Sequence, residues 1–128
     1  MMVSSFRTRA AISAGAAVVA ALTLVAAPTT HAQTLYGGIA TGPGARWSIW
    51  YDKPTVNDAP SLAACGSDCT TVLGFVHCGA LAYDGNAFFT GQGNTQDEAE
   101  VEATLLLGRR IIASGCNGVG KAPANGQA

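Results

Sequence analysis

The feature that most limits how this chain can fold is its cysteine content: Cys65, Cys69, Cys78 and Cys116, an even number within 128 residues. A domain of fewer than about 100 residues buries too little surface to be comfortably stable, and cross-links supply what burial does not. In a short exported chain, four cysteines read as two disulfides, for which three pairings exist. Cys65 with Cys69 would close a Gly-Ser-Asp loop, and Cys78 with Cys116 would tie the end of the chain to a central strand. That pairing is favoured, and its longer closure spans about 38 residues, worth roughly 3 to 4 kcal/mol in the chain-entropy view.

The case for an oxidising destination lies at the other end of the chain. Arg7 and Arg9 precede an uncharged run rich in Ala, Val and Leu from Ala10 to Ala27, and Thr30 and Ala32 then place small residues where a signal peptidase reads them. These are the regions of a secretory signal, with cleavage expected after Ala32. The run approaches the length that spans a bilayer. About half of it is Ala and Gly and nothing basic follows, so a cleaved signal is expected over a retained anchor. Residues 1–32 are therefore expected to be a signal, residues 33–118 one domain, and residues 119–128 a flexible tail. Beyond residue 32 five basic residues face eight acids, a net charge of −3. Phosphate binding needs a basic stripe that releases counterions, so nucleic acid is not expected as a partner, nor is an anionic membrane surface.

Leu35 to Ala40 reads as a strand closed by the turn residues Gly42-Pro43-Gly44, and Arg46 to Asp52 alternates as its hairpin partner. Trp47, Ile49 and Tyr51 share one face of it, and Ser48, Trp50 and Asp52 the other. A short helix is expected from Asp58 to Ala64, with Asp58 as N-cap and Pro60 in the first turn, where a missing N–H costs nothing. Thr70 to His77 and Cys78 to Tyr83 have strand composition, and Asp84-Gly85-Asn86 turns the chain back into Ala87 to Thr90. Thr95 with Glu98 makes a capping box for a second helix, with Arg109 and Arg110 toward its far end and Ala99, Ala103 and Leu106 facing the sheet. The order repeats. Tyr36-Gly37-Gly38-Ile39-Ala40 parallels Cys78-Gly79-Ala80-Leu81-Ala82, each followed by a turn, an aromatic strand and a helix leading to a cysteine. Two strand-strand-helix units predict an α+β domain, a mainly antiparallel sheet with two helices on one face, stapled by disulfides.

These segments also carry a resemblance. Tyr36 to Ala40, the Trp47 to Tyr51 strand, Leu62-Ala63-Ala64-Cys65-Gly66, Cys69, Cys78-Gly79-Ala80-Leu81-Ala82 and the Thr95 to Glu102 helix start together resemble the bacterial domain of unknown function 4189 family, from about Leu35 to Cys116. The Cys-Gly-Ala-Leu-Ala piece is the most specific part. The resemblance implies an exported protein of actinobacterial type with the repeated fold, and it implies no activity. Against the family pattern, Pro60 shortens the first helix and no cysteine stands near Leu106. A final hydrophobic strand after Cys116, present in longer members, is not expected.

Arrangements that could carry chemistry are few. Beyond residue 32 only His77 could take a proton from a nucleophile, and at a strand end it is expected to be structural or solvent-facing. Cys65, Cys69, His77 and Cys78 have zinc-ligand arithmetic, but adjacent strand residues point to opposite faces, so no metal is expected. Gly115 to Lys121 has phosphate-loop spacing, yet Ala122 stands where a hydroxyl is required and Pro123 follows, so no nucleotide or other cofactor is expected. Glu98 and Glu102 read as a solvated helix start. A catalytic acid needs a raised pKa in a cleft, for which Asp52 beside Trp50 and Tyr51 is the better candidate. No catalytic residue is assigned.

Trp47, Trp50 and Tyr51 are left as the candidate binding face, because alternation sends only one side of a strand inward and exposed Trp or Tyr suits a protein or a sugar. The expected function is that of a non-enzymatic exported module binding a protein or a cell-envelope component through its sheet, with no membrane span once the signal is removed. A small hydrolase of envelope polymers using carboxylates, or a purely structural envelope protein, are the alternatives.

Overall fold

Turn chemistry at Pro43-Gly44-Ala45 starts the fold, reversing β1 (Tyr36–Gly42) into β2 (Arg46–Lys53). The computed structural model describes residues 33–128, so the expected signal and its cleavage lie outside the described residues. After the hairpin come α1 (Ala59–Cys65), β3 (Thr70–Phe75), β4 (Cys78–Tyr83), β5 (Phe88–Gly93), α2 (Gln96–Ala103), β6 (Arg110–Cys116) and β7 (Ala124–Gln127). The strands form two antiparallel sheets, ordered β3-β1-β2-β7 and β5-β4-β6. The α+β class therefore stands, while the strands divide between two sheets rather than one.

The internal repeat is a repeat of topology. In each unit a hairpin is followed by a helix and a third strand that returns to pair with the first, β3 on β1 and β6 on β4. The register slips also coincide: β1 shifts against β3 between Ile39 and Ala40, and β4 against β6 between Leu81 and Ala82. Val72 and Ile112 are the extra residues of these two bulges, in equivalent places.

Packing follows from the alternation along the central strands. Ile39, Ile49, Tyr51, Phe75 and Leu81 join in one buried cluster between the sheets. On the outer side of the first sheet, Ala40 and Trp50 pack with Cys65 and Cys69 under α1. On the outer side of the second, Ala80 and Ala82 pack with Ala99 and Ala103 of α2. The layers are thus helix, sheet, sheet, helix, and each sheet carries its own helix instead of both lying on one face. Glycines set the spacing. A Cβ at Gly37 or Gly79 would overlap the Phe75 ring, which bridges the central strands of both sheets, and one at Gly91 would overlap the α2 backbone.

This layering corrects the expected binding face. Trp50 is fully buried, with Gly38 beneath its indole and Nε1 donating to the Val56 carbonyl at 3.0 Å. Tyr51 is buried and Trp47 half-buried on the other side. Alternation describes a strand with one wet face, whereas β2 is covered by α1 on one side and by the second sheet on the other.

The helices start where their caps lie. Asp58 Oδ2 accepts from the Ser61 N–H at 3.2 Å, and Thr95 Oγ1 accepts from the Glu98 N–H at 3.1 Å. The second helix ends early, at Ala103, where the Thr104 hydroxyl donates back to the Glu100 carbonyl at 2.7 Å. Leu106, expected against the sheet, is exposed, because the chain must leave the helix in time for Arg110 to pair with Tyr83. The expected flexible tail is also corrected: Ala124–Gln127 pairs with β2 from Ile49 to Arg46, and Gln127 Nε2 donates to the Gly44 carbonyl at 2.7 Å. Its polar sequence carries no strand signal, but it satisfies backbone groups that an edge strand would otherwise leave unpaired.

Two disulfides join Cys65 to Cys69 and Cys78 to Cys116. The second pair are direct register partners across β4 and β6.

Candidate functional site

The polar residues singled out above are occupied by the fold itself. Asp52 sits in the left-handed region, φ 61°, at the end of β2. Its Oδ1 accepts from the Gly118 N–H at 2.6 Å, and its own N–H donates to Asn117 Oδ1 at 2.9 Å. Asn117 Nδ2 in turn donates to the carbonyls of Val76 and Phe75 at 2.6 and 3.2 Å, while its N–H donates to the His77 carbonyl at 2.8 Å. The segment with phosphate-loop spacing is therefore a clasp holding the ends of β2, β3 and β6 together, and the Asp52 carboxylate belongs to it. His77 is exposed beside the clasp. Glu98 Oε1 accepts from the Asn94 N–H and Glu102 Oε1 from the Gln92 N–H, fastening α2 to the edge strand β5. Among the described residues no group of three or more His, Cys, Asp or Glu is placed to hold a metal ion.

Two surfaces remain. The first is a cleft of about 330 Å³ at one side of the sandwich, between the inner face of β2 and strand β6, beneath the segment that leads into β7. Trp47, Ile49 and Tyr51 wall it from β2 and Ala113 from β6, with Gln96 and Lys121 at its margin. Space for the Tyr51 ring is provided by Gly115, where a Cβ would stand 2.6 Å from both the Tyr51 hydroxyl oxygen and Lys121 Cδ. Tyr51 is 4% exposed, and its hydroxyl finds no hydrogen-bond partner among the described residues. Burial pushes the Tyr51 phenol up to about 12, so it stays protonated and can only donate to an anion.

Beside this cleft Ser114 Oγ donates to Glu100 Oε2 at 2.5 Å, and Gln96 Nε2 donates to Ser114 Oγ at 2.8 Å and to Glu100 Oε2 at 3.1 Å. The hydrogen bond from Ser114, and then that from Gln96, holds the Glu100 carboxyl below its ordinary value of 4.5. A carboxyl whose folded pKa lies below its unfolded one stabilises the fold above the unfolded value, and that contribution disappears as pH falls through the folded value. The urea midpoint is accordingly expected to fall on acidification from about pH 5 toward about pH 3. Glu100→Gln should flatten part of that slope, measured as midpoint against pH for both proteins.

The second surface is the loop between α2 and β6. Leu105, Leu106 and Leu107 are 68%, 64% and 101% exposed, and Val101 on the last turns of α2 is 62% exposed. Arg109 closes the loop with its guanidinium 3.4 Å from the centre of the Phe89 ring. The leucines are visible in the sequence but carry helical spacing, which reads as core. Gln96 and Ala113 escaped sequence reasoning, and Lys121 entered it only through the phosphate-loop spacing, because their meeting depends on β6, which local signals merge with the preceding helix.

Two disulfides point to an oxidising, extracytoplasmic compartment. Among the described residues no helix is long and apolar enough to cross a membrane. Residues 36–121 match the family described as Domain of unknown function (DUF4189). The chain is 38% identical over 86 residues to the uncharacterized protein Rv1813c of Mycobacterium tuberculosis (strain ATCC 25618 / H37Rv), covering 64% of this chain and 60% of that protein. It is 35% identical over 91 residues to protein Rv1269c of the same strain, covering 68% of this chain and 73% of that one. The match thus spans less than two thirds of the length of the first relative. The NMR structure of Rv1813c aligns with a TM-score of 0.53 at 30% identity, covering 70% of this chain and 80% of the other.

Proposed function

This chain belongs to the DUF4189 family, and from that premise we propose that it is an exported, non-enzymatic module that binds a protein or a cell-envelope component by apolar contact at the α2–β6 loop. The observation that carries this reading is the run Leu105-Leu106-Leu107, exposed together and continued by Val101. Single exposed apolar residues are ordinary on protein surfaces, whereas a contiguous group marks a surface that spends part of its time covered. The loop is held at both ends, by the Thr104 cap and by Arg109 on Phe89, so little ordering entropy opposes contact there.

A catalytic role draws no comparable support. The cysteines are oxidised, and the carboxylates of Asp52, Glu98 and Glu102 are engaged by backbone N–H groups rather than aimed into a cleft. Export is supported by the signal-like residues 1–32 and by the disulfides.

The double substitution Leu106→Glu, Leu107→Glu tests the reading. These side chains touch little, so thermal stability should change by no more than about 0.5 kcal/mol. Retention on envelope fractions, and on partners captured from culture medium by the oxidised protein, should fall by at least about tenfold, since about 1.4 kcal/mol of lost contact is a factor of ten. Retention equal to that of the parent would remove the loop from consideration.

A further inference from the structure

The cleft between β2 and β6 is separate from the leucine loop and has a character of its own. Its walls are apolar, formed by Trp47 and Ile49 on one side and Ala113 on the other. Four polar residues line it: Gln96 and Ser114, which are hydrogen-bonded to each other, Tyr51, whose hydroxyl is buried and unpartnered among the described residues, and Lys121, whose Cδ lies over Gly115 beside that hydroxyl. The nearest acid in the adjoining network, Glu100, is already engaged by Ser114 and Gln96. A buried donor without an acceptor costs free energy, about 1 to 3 kcal/mol, which a ligand acceptor would recover. An anionic head accepts from the Tyr51 hydroxyl and the Lys121 ammonium at once, and a cation would meet Lys121 with like charge.

We infer that this cleft binds a medium-chain aliphatic carboxylate, its head group between the Tyr51 hydroxyl and Lys121 and its chain along Trp47, Ile49 and Ala113. The size agrees. A volume of about 330 Å³ lies at the lower end of small-molecule sites and, at about 30 Å³ per water-sized group, holds about ten non-hydrogen atoms. Octanoate has that size.

Octanoate, octan-1-ol and octyltrimethylammonium are titrated into the oxidised protein, with amide chemical shifts as the readout. Octanoate is expected to give saturable shifts at Tyr51, Gly115 and Lys121, and to bind about tenfold more tightly than the alcohol. Tyr51→Phe keeps the ring and removes only the unpaired hydroxyl, so it should leave the fold intact and weaken octanoate about tenfold, and Lys121→Gln should do the same. The alcohol's affinity should be unchanged by Lys121→Gln. The Leu106→Glu, Leu107→Glu protein should bind octanoate like the parent, which separates this inference from the reading of the loop. Absence of saturable shifts at those amides overturns it, because the hydroxyl then takes no ligand acceptor. Equal affinity for octanoate and octyltrimethylammonium, or undiminished octanoate binding by Tyr51→Phe, overturns it as well.

Discussion

Replacing both Cys78 and Cys116 with alanine is expected to lower the stability of the oxidised protein by about 4 kcal/mol, against about 2 kcal/mol for the same change at Cys65 and Cys69. The two bridges differ in sequence separation, 38 against 4, and the entropy a cross-link removes from the unfolded chain grows with the logarithm of the loop it closes. Their places in the fold act in the same direction. The long bridge joins register partners on β4 and β6 and packs with Ala80, Ala82 and the α2 alanines, so its loss frees one end of the second sheet. The short bridge joins the last residue of α1 to the residue before β3. A domain of this size has a total stability of roughly 5 to 15 kcal/mol, and a loss of about 4 kcal/mol corresponds to roughly 15 to 30 °C in the thermal midpoint. Thermal and urea unfolding of the two variants compares them directly. Equal losses would mean that residual structure in the unfolded chain, and not loop length, governs what these bridges contribute.

Phe75→Ala is expected to cost about 3 to 5 kcal/mol, the range for removing a fully buried aromatic ring. Phe75 is 1% exposed and stands edge-on to Tyr51 with ring centres 6.0 Å apart. Its ring also covers its register partner Gly37 on β1 and reaches Gly79 on β4, so one side chain fills the gap between the central strands of both sheets. The two glycines occupy equivalent places in the two repeats, and neither tolerates a Cβ unless the ring moves. Gly79→Ala should therefore destabilise by about 1 to 3 kcal/mol through overpacking. Combined with Phe75→Leu, which shortens the ring to a branched chain, it should cost less than the sum of the two single changes by about 1 kcal/mol. Urea unfolding of the two single variants and the double variant measures that coupling. Strict additivity would show that the ring and Gly79 do not share space in solution.

What was legible in the sequence was local. The β1–β2 hairpin, the Asp58 and Thr95 caps and the strand at Cys78 are specified by residues within a few positions of one another, and each appears in the structure where the sequence predicts it. The repeat was legible as well, since Tyr36 to Ala40 and Cys78 to Ala82 occupy the same place in two sheets of the same topology. Strand β7 was not: Ala-Asn-Gly-Gln has no strand propensity, and only the open edge of β2 makes it one. Strand β6 was hidden because Leu105 to Ile111 continues the apolar helical spacing of α2, and no local residue says that Tyr83 awaits a partner.

The candidate site divides in the same way. Alternation along β2 correctly sorted Trp47, Ile49 and Tyr51 from Ser48 and Trp50, because the period of a strand is set by its backbone. It did not say what lies against either face, and here both are covered, by α1 on the side of Trp50 and by the second sheet on the side of Ile49 and Tyr51. The sequence by itself therefore determined the first hairpin, the two helix caps, the strand at Cys78, the repeat and the cysteines available to bridge them. The tertiary structure alone decided the division into two sheets, the burial of Trp50, the release of Leu105 to Leu107 into solvent and the meeting of Tyr51 with Lys121. Those outcomes rest on contacts between residues far apart in the chain, whose free energy depends on which surfaces are brought together and not on the order of residues within any one of them.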